Sequence, residues 1–181
     1  MATLVGFDFP YGYPRGYGSA LGLKDQKVPM WRQVWKLLSE KIHDSEKNVS
    51  NRFEVAAELN KRISGGSYPF WGCPRRCEGR TLSRRKPHGR FKTELPVKRV
   101  TEEREGRTQS VWKLAYQGSV GSQALLGIPC VARLRDDSAL NKSSQVWPFE
   151  TGLKKLPPRS QRKWFVLHAE IFPSKIGRAH V

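Results

Sequence analysis

The sequence predicts an α/β fold, on two short apolar runs that each end near a proline and on helical periodicity between them. The first run, Thr3-Leu4-Val5-Gly6-Phe7, is too short for a helix and suits a strand buried on both faces of a sheet. The second, Trp164 to Phe172, is longer and closes on Pro173. Between them Trp31, Val34, Trp35, Leu38 and Ile42 recur at the spacing of a helix with one buried face.

Pro10 cannot donate to a ladder and holds Phe9 extended, so the first strand should stop close to Asp8. The Asp8 carboxylate then stands at the carboxyl end of a strand, where open α/β sheets keep their ligands. The other reading is an Asp that caps the Pro/Gly turn of residues 10–16. Glu170 is embedded in the last run, where a lone ionised carboxylate is costly and calls for pairing, protonation or a metal. Both acids precede an aromatic-proline step, and they could face one another across neighbouring strands.

A helix is predicted over 29–43, with Pro29 suited to its first position. A second is predicted over 51–63, opened by Asn51 with Glu54 in capping-box relation and stopped by Gly65-Gly66. Glu54 is therefore either a cap or a site acid with Arg52 as its anion-binding partner. Val97–Val100 and Ser110–Leu114 could be strands flanking a charged turn over 101–108. Residues 118–123 read as a helix start that lines the site, and the helical pattern continues to Arg135 with a kink or restart at Pro129. Neither glycine-rich nucleotide-binding motif is present. Gln145–Trp147 is a short strand followed by a loop acid, Glu150.

The chain has 181 residues, 38% of them apolar with six tryptophans, which fits one folded domain. A net charge of +17, from 33 Lys and Arg against 16 Asp and Glu, attracts polyanions whatever the fold. The charge concentrates in a Pro/Gly-rich loop at about 71–108. There Arg75, Arg76, Arg84, Arg85, Lys86 and Arg90 are candidate phosphate contacts, with Trp71 and Phe91 available for base stacking. The alternative is a solvated loop without a partner. Cys73, Cys77 and Cys130 are too few for a disulfide framework. Cys73-x3-Cys77 with His88 resembles three zinc ligands, but no second pair follows, and free thiols are expected. No apolar run is long enough for a membrane span and no basic n-region with an apolar stretch opens the chain, so a cytoplasmic protein is expected.

Five blocks together carry a resemblance: Gly6-Phe7-Asp8-Phe9-Pro10-Tyr11-Gly12-Tyr13-Pro14, Asn51-Arg52-Phe53-Glu54, Ser119 to Pro129, Trp147 to Gly152 and Ala169 to Ser174. In their order they resemble a bacterial family of uncharacterised proteins grouped with predicted nucleases of ribonuclease-H-like fold. The resemblance implies one domain over 1–175, a mixed sheet with flanking helices. It also implies that a first acid-bearing strand and a C-terminal part lie outside this chain. Residues 176–181 read as the translation of a sequencing adapter and are set aside.

What the resemblance implies for function is metal-assisted cleavage of phosphodiesters. Asp8 and Glu170, with Glu54 or Glu150, would hold Mg²⁺ or Mn²⁺, and nucleic acid or another phosphate-bearing substrate would lie beside them. Similar bacterial proteins are also assigned to molybdopterin-guanine-dinucleotide or cobalamin synthesis, which implies a phosphorylated small molecule instead. A third reading is a non-catalytic module that binds nucleic acid through residues 71–100.

Overall fold

The computed structural model describes residues 3–89, 91, 93–105, 108–153, 158 and 166–171. In chain order the elements are β1 (Thr3–Phe7), α1 (Tyr17–Ala20), α2 (Met30–Lys41), α3 (Arg52–Ser64), a 3₁₀ turn at Arg75–Cys77, α4 (Val100–Glu105), α5 (Gly121–Asp136), β2 (Ser144–Trp147) and β3 (Val166–Glu170). The fold is α/β, with helices around a small sheet.

The sheet has the order β1-β3-β2, so the last strand is the central one. Both pairings are parallel: Thr3 lies opposite Val166 and Phe7 opposite Glu170, while Ser144 and Trp147 lie opposite Val166 and Ala169. A mixed sheet was expected, and among the described residues every strand pair is parallel. A parallel pair needs a crossover of about a dozen residues or more, and the strands are far enough apart in the chain to allow it. All three strands therefore end at one edge. β3 is buried along Val166–Ala169, as a strand with neighbours on both sides must be.

The periodicity that predicted α2 also predicted its packing. Val34, Trp35, Leu38 and Ile42 are buried, and α2 packs against α5, which buries Ala124, Leu125, Ile128 and Val131. The indole Nε1 of Trp35 donates to the Tyr11 carbonyl at 2.9 Å and ties α2 to the turn after β1. Helix α5 runs through Pro129 as one element and does not restart there. At α3 the capping box is not formed. Asn51 instead accepts from the His43 N–H and donates to the Lys41 carbonyl, joining the end of α2 to the start of α3. Gly65, with φ of 72°, ends α3 in the left-handed conformation that suits glycine.

Neither predicted strand over 97–100 or 110–114 is formed. The Glu102 carboxylate reaches back to the Arg99 N–H at 2.7 Å, half of a capping box, and the chain turns into α4 at Val100. The 110–114 segment makes only an isolated bridge with Trp71. The Trp71 N–H donates to the Trp112 carbonyl and the Leu114 N–H to that of Trp71.

The basic loop is irregular, as its prolines and glycines require, but its base is firmly held. Asn60 is fully buried; it accepts from the Phe70 N–H at 2.8 Å and donates to the carbonyls of Phe70 and Thr81 at 2.9 and 2.8 Å. Among the described residues no helix is long and apolar enough to cross a membrane.

Candidate functional site

The turn after β1 sets the geometry of the carboxyl edge. Phe9 lies against Gly127 of α5, where any Cβ would collide with its ring, so the bare helix backbone lets the turn close. From there Tyr11 to Gly18 line a cleft of about 970 Å³. Trp31 and Trp35 of α2, Trp147 and Phe149 after β2, Arg99 and Glu102 at α4, and Glu170 of β3 line it too. Trp31 and Phe149 stack at 5.2 Å, and a Cβ on Gly12 would stand 3.0 Å from the Phe149 ring. Thus one wall is aromatic and is assembled from three separate parts of the chain.

Its polar end is organised by Arg99. Two guanidinium nitrogens, Nη1 and Nη2, donate to the two oxygens of Glu170, and Nε donates to Glu102 at 2.8 Å. Burial works against the charged guanidinium, but the hydrogen bonds and charge of Glu170 and the charge of Glu102 outweigh it and raise its pKa. Glu170 also accepts from the Tyr11 N–H at 3.2 Å.

Three tyrosines complete this end. The hydroxyls of Tyr11, Tyr13 and Tyr17 are buried; those of Tyr13 and Tyr17 have no hydrogen-bond partner among the described residues, while that of Tyr11 lies against the backbone of Phe7. Burial raises all three phenols above their ordinary range; nearby Arg99 opposes this at Tyr13, and Tyr13 adds to it at Tyr17. They are neutral donors at any physiological pH.

Parallel register does bring Asp8 and Glu170 to the ends of neighbouring strands, yet their environments differ. Asp8 is exposed and makes no hydrogen bond or ion pair with the described residues. Glu150 is held bidentately by Arg135 at 2.7 and 2.8 Å and accepts from the Val146 N–H, which makes it the clasp of the turn after β2. Glu54 lies exposed on the first turn of α3. Arg52 does not pair with it: its guanidinium lies over the Phe53 ring at 4.6 Å and donates to Ser50 Oγ.

Among the described residues no three His, Cys, Asp or Glu side chains converge, and Glu170 already spends its charge on Arg99. Of the residues spaced like zinc ligands, Cys73 is buried, Cys77 half-buried and His88 exposed, and all three cysteines are free.

Arg75, Arg76, Arg84, Arg85 and Lys86 are exposed, without an ion pair among the described residues; Arg90 lies outside them. Trp71 has Lys113 Nζ over its ring at 5.8 Å, and Phe91 stacks on Tyr68 at 4.0 Å. The Phe91 face turned to Tyr68 is therefore occupied. No residue of 118–126 lines the cleft. Sequence reasoning placed Arg99 among the loop cations and missed its role. The signal for the cleft was three tyrosines within seven residues of the first turn.

Compared with known proteins, the chain matches no family model, no curated protein and no solved structure.

Proposed function

We propose that the chain binds a phosphorylated small molecule in the cleft at the carboxyl edge of its sheet. The composition of that cleft carries the reading: aromatic walls, a buried polar end, and the exposed cations Arg15 and Arg104 in its lining. A volume of about 970 Å³ lies at the upper end of the range for ligand pockets. Its place at the ends of parallel strands is where open α/β sheets hold ligands. The ribonuclease-H-like assignment belongs to the same proposal, supported by the parallel sheet and by acids at neighbouring strand ends. A cytoplasmic location belongs to it as well, supported by three free cysteines.

Thermal melts with millimolar ribose 5-phosphate and ribonucleoside monophosphates test it, because a ligand raises the melting temperature of the state it binds. The expected result is an upward shift that an Arg15→Ser, Arg104→Ser double variant reduces. No shift with any of these phosphates would overturn the proposal.

One observation favours a second reading, nucleic-acid binding through the basic loop: six cations, Arg75, Arg76, Arg80, Arg84, Arg85 and Lys86, are exposed on a segment anchored by Asn60 and Trp71. Binding to random oligonucleotides should then fall steeply with salt and survive chelation of metal. The nuclease reading predicts instead that Mn²⁺ supports cleavage and that Asp8→Asn abolishes it.

A further inference from the structure

We infer that the buried end of the cleft reads the polar edge of a heteroaromatic base, so that the ligand is of mononucleotide chemistry, a base joined to a phosphate. This rests on the reading that the cleft takes a phosphorylated molecule, and it assigns the other half of that molecule.

A nucleobase edge presents N–H donors and carbonyl or ring-nitrogen acceptors side by side, so a site that reads it must offer both. The triad of Arg99, Glu170 and Glu102 does. A guanidinium has five N–H donors; Nε is used by Glu102 and one each of Nη1 and Nη2 by Glu170, which leaves two. The carboxylate of Glu170 accepts three hydrogen bonds, from Arg99 twice and from the Tyr11 N–H, of the roughly four it can take. Beside them stands the phenol of Tyr13, close enough to feel the charge of Arg99, and against its ring that of Tyr17, 2% exposed; both hydroxyls are without a partner among the described residues. Buried polar groups of native proteins are normally satisfied, and a ligand edge satisfies these.

Charge decides which half of the ligand goes where. One guanidinium set against two carboxylates leaves the triad with a net negative charge, which repels phosphate and suits a neutral base with N–H groups. Among the exposed charged residues of the lining, Arg15 and Arg104 outnumber the single acid, Glu103, and suit the phosphate. Trp31, Trp147 and Phe149 line the cleft as well and give a ring the apolar contact that a sugar phosphate cannot use.

The test is a titration of the full chain, followed by tryptophan fluorescence, with four ribonucleoside monophosphates (AMP, GMP, CMP, UMP) and with ribose 5-phosphate. At least one monophosphate is expected to bind roughly tenfold or more tightly than ribose 5-phosphate, the effect of about one well-placed interaction. Tyr13→Phe should weaken that nucleotide by a similar factor and leave ribose 5-phosphate unchanged. The variant should melt no lower than the parent chain, because the hydroxyl removed has no partner among the described residues. Equal affinity for ribose 5-phosphate and every nucleotide overturns the base while leaving the cleft as a phosphate-ligand site. Binding of nothing in the panel overturns both; a nucleotide whose affinity and order of preference ignore Tyr13→Phe and Glu170→Gln alike overturns the base assignment.

Discussion

Arg99 grips Glu170 end-on, with Nη1 to Oε2 at 2.7 Å and Nη2 to Oε1 at 2.6 Å. The residue that the sequence offers as a metal ligand is thus neutralised by a side chain 71 positions away. Removing that side chain leaves Glu102, 3% exposed, and Glu170, 21% exposed, as uncompensated carboxylates. Arg99→Met should destabilise the fold by about 3 kcal/mol, the lower end of the range for breaking buried pairs because Glu170 keeps some solvent. Arg99→Lys should not restore it, since one ammonium cannot reproduce the guanidinium fork. Urea unfolding measures both, and a loss below about 1 kcal/mol would show that the triad behaves as a surface bridge.

Tyr17→Phe should stabilise the protein. Its hydroxyl is buried without a partner among the described residues, and an unsatisfied buried group costs about 1–3 kcal/mol. The urea midpoint should rise at unchanged slope. A fall would mean that the hydroxyl is satisfied in solution.

Asn60→Ala strips three backbone groups, the Phe70 N–H and the carbonyls of Phe70 and Thr81, of their side-chain partner. About 3 kcal/mol or more of stability should be lost, because each group is left unpaired in the interior. Hydrogen exchange should quicken first over residues 70–83. Unchanged exchange there would separate the basic loop from its supposed anchor.

His168 is 1% exposed at the centre of β3, and its Nε2 lies 3.3 Å from Ser144 Oγ. Burial lowers its pKa below the ordinary 6.5, and the charge of Arg135 lowers it further. The unfolded chain therefore binds this proton more readily than the folded one, so His168 contributes stability above pH 6.5 that is lost as pH falls toward its folded pKa. Urea midpoints at pH 7.5 and 5.5 should differ in that sense, and His168→Gln should flatten the difference. An equal pH dependence in the variant would assign it to another group.

Asp8→Asn should change stability by no more than about 0.5 kcal/mol, since Asp8 is exposed and unpartnered among the described residues. Millimolar Mg²⁺ or Mn²⁺ should move the melting temperature of neither protein. An upward shift confined to the unsubstituted chain would place a cation on Asp8 and favour the nuclease reading.

Much of the fold was legible in the sequence because it is encoded locally. The helical spacing of Val34, Trp35 and Leu38, the proline after Asp8 and the glycine at position 65 each act within a few residues, and α2, β1 and the end of α3 follow them. Segments whose partners are distant were read less well. Val97–Val100 looked like a strand by composition, but Glu102 three residues after Arg99 turned it into a helix. Asn51 looked like a cap, but the end of α2 claimed its side chain.

By itself the sequence determined the α/β class, the main helices, an excess of positive charge and two acids placed at strand ends. Only the tertiary structure decided that β3 lies between β1 and β2, that Arg99 takes the charge of Glu170, and that Tyr11, Tyr13, Trp31, Trp147 and Phe149 line one cleft. The physical reason is range: hydrophobic period and turn chemistry act over a few residues. A guanidinium chooses its carboxylate, and a cleft its walls, only after the chain has brought together residues dozens of positions apart.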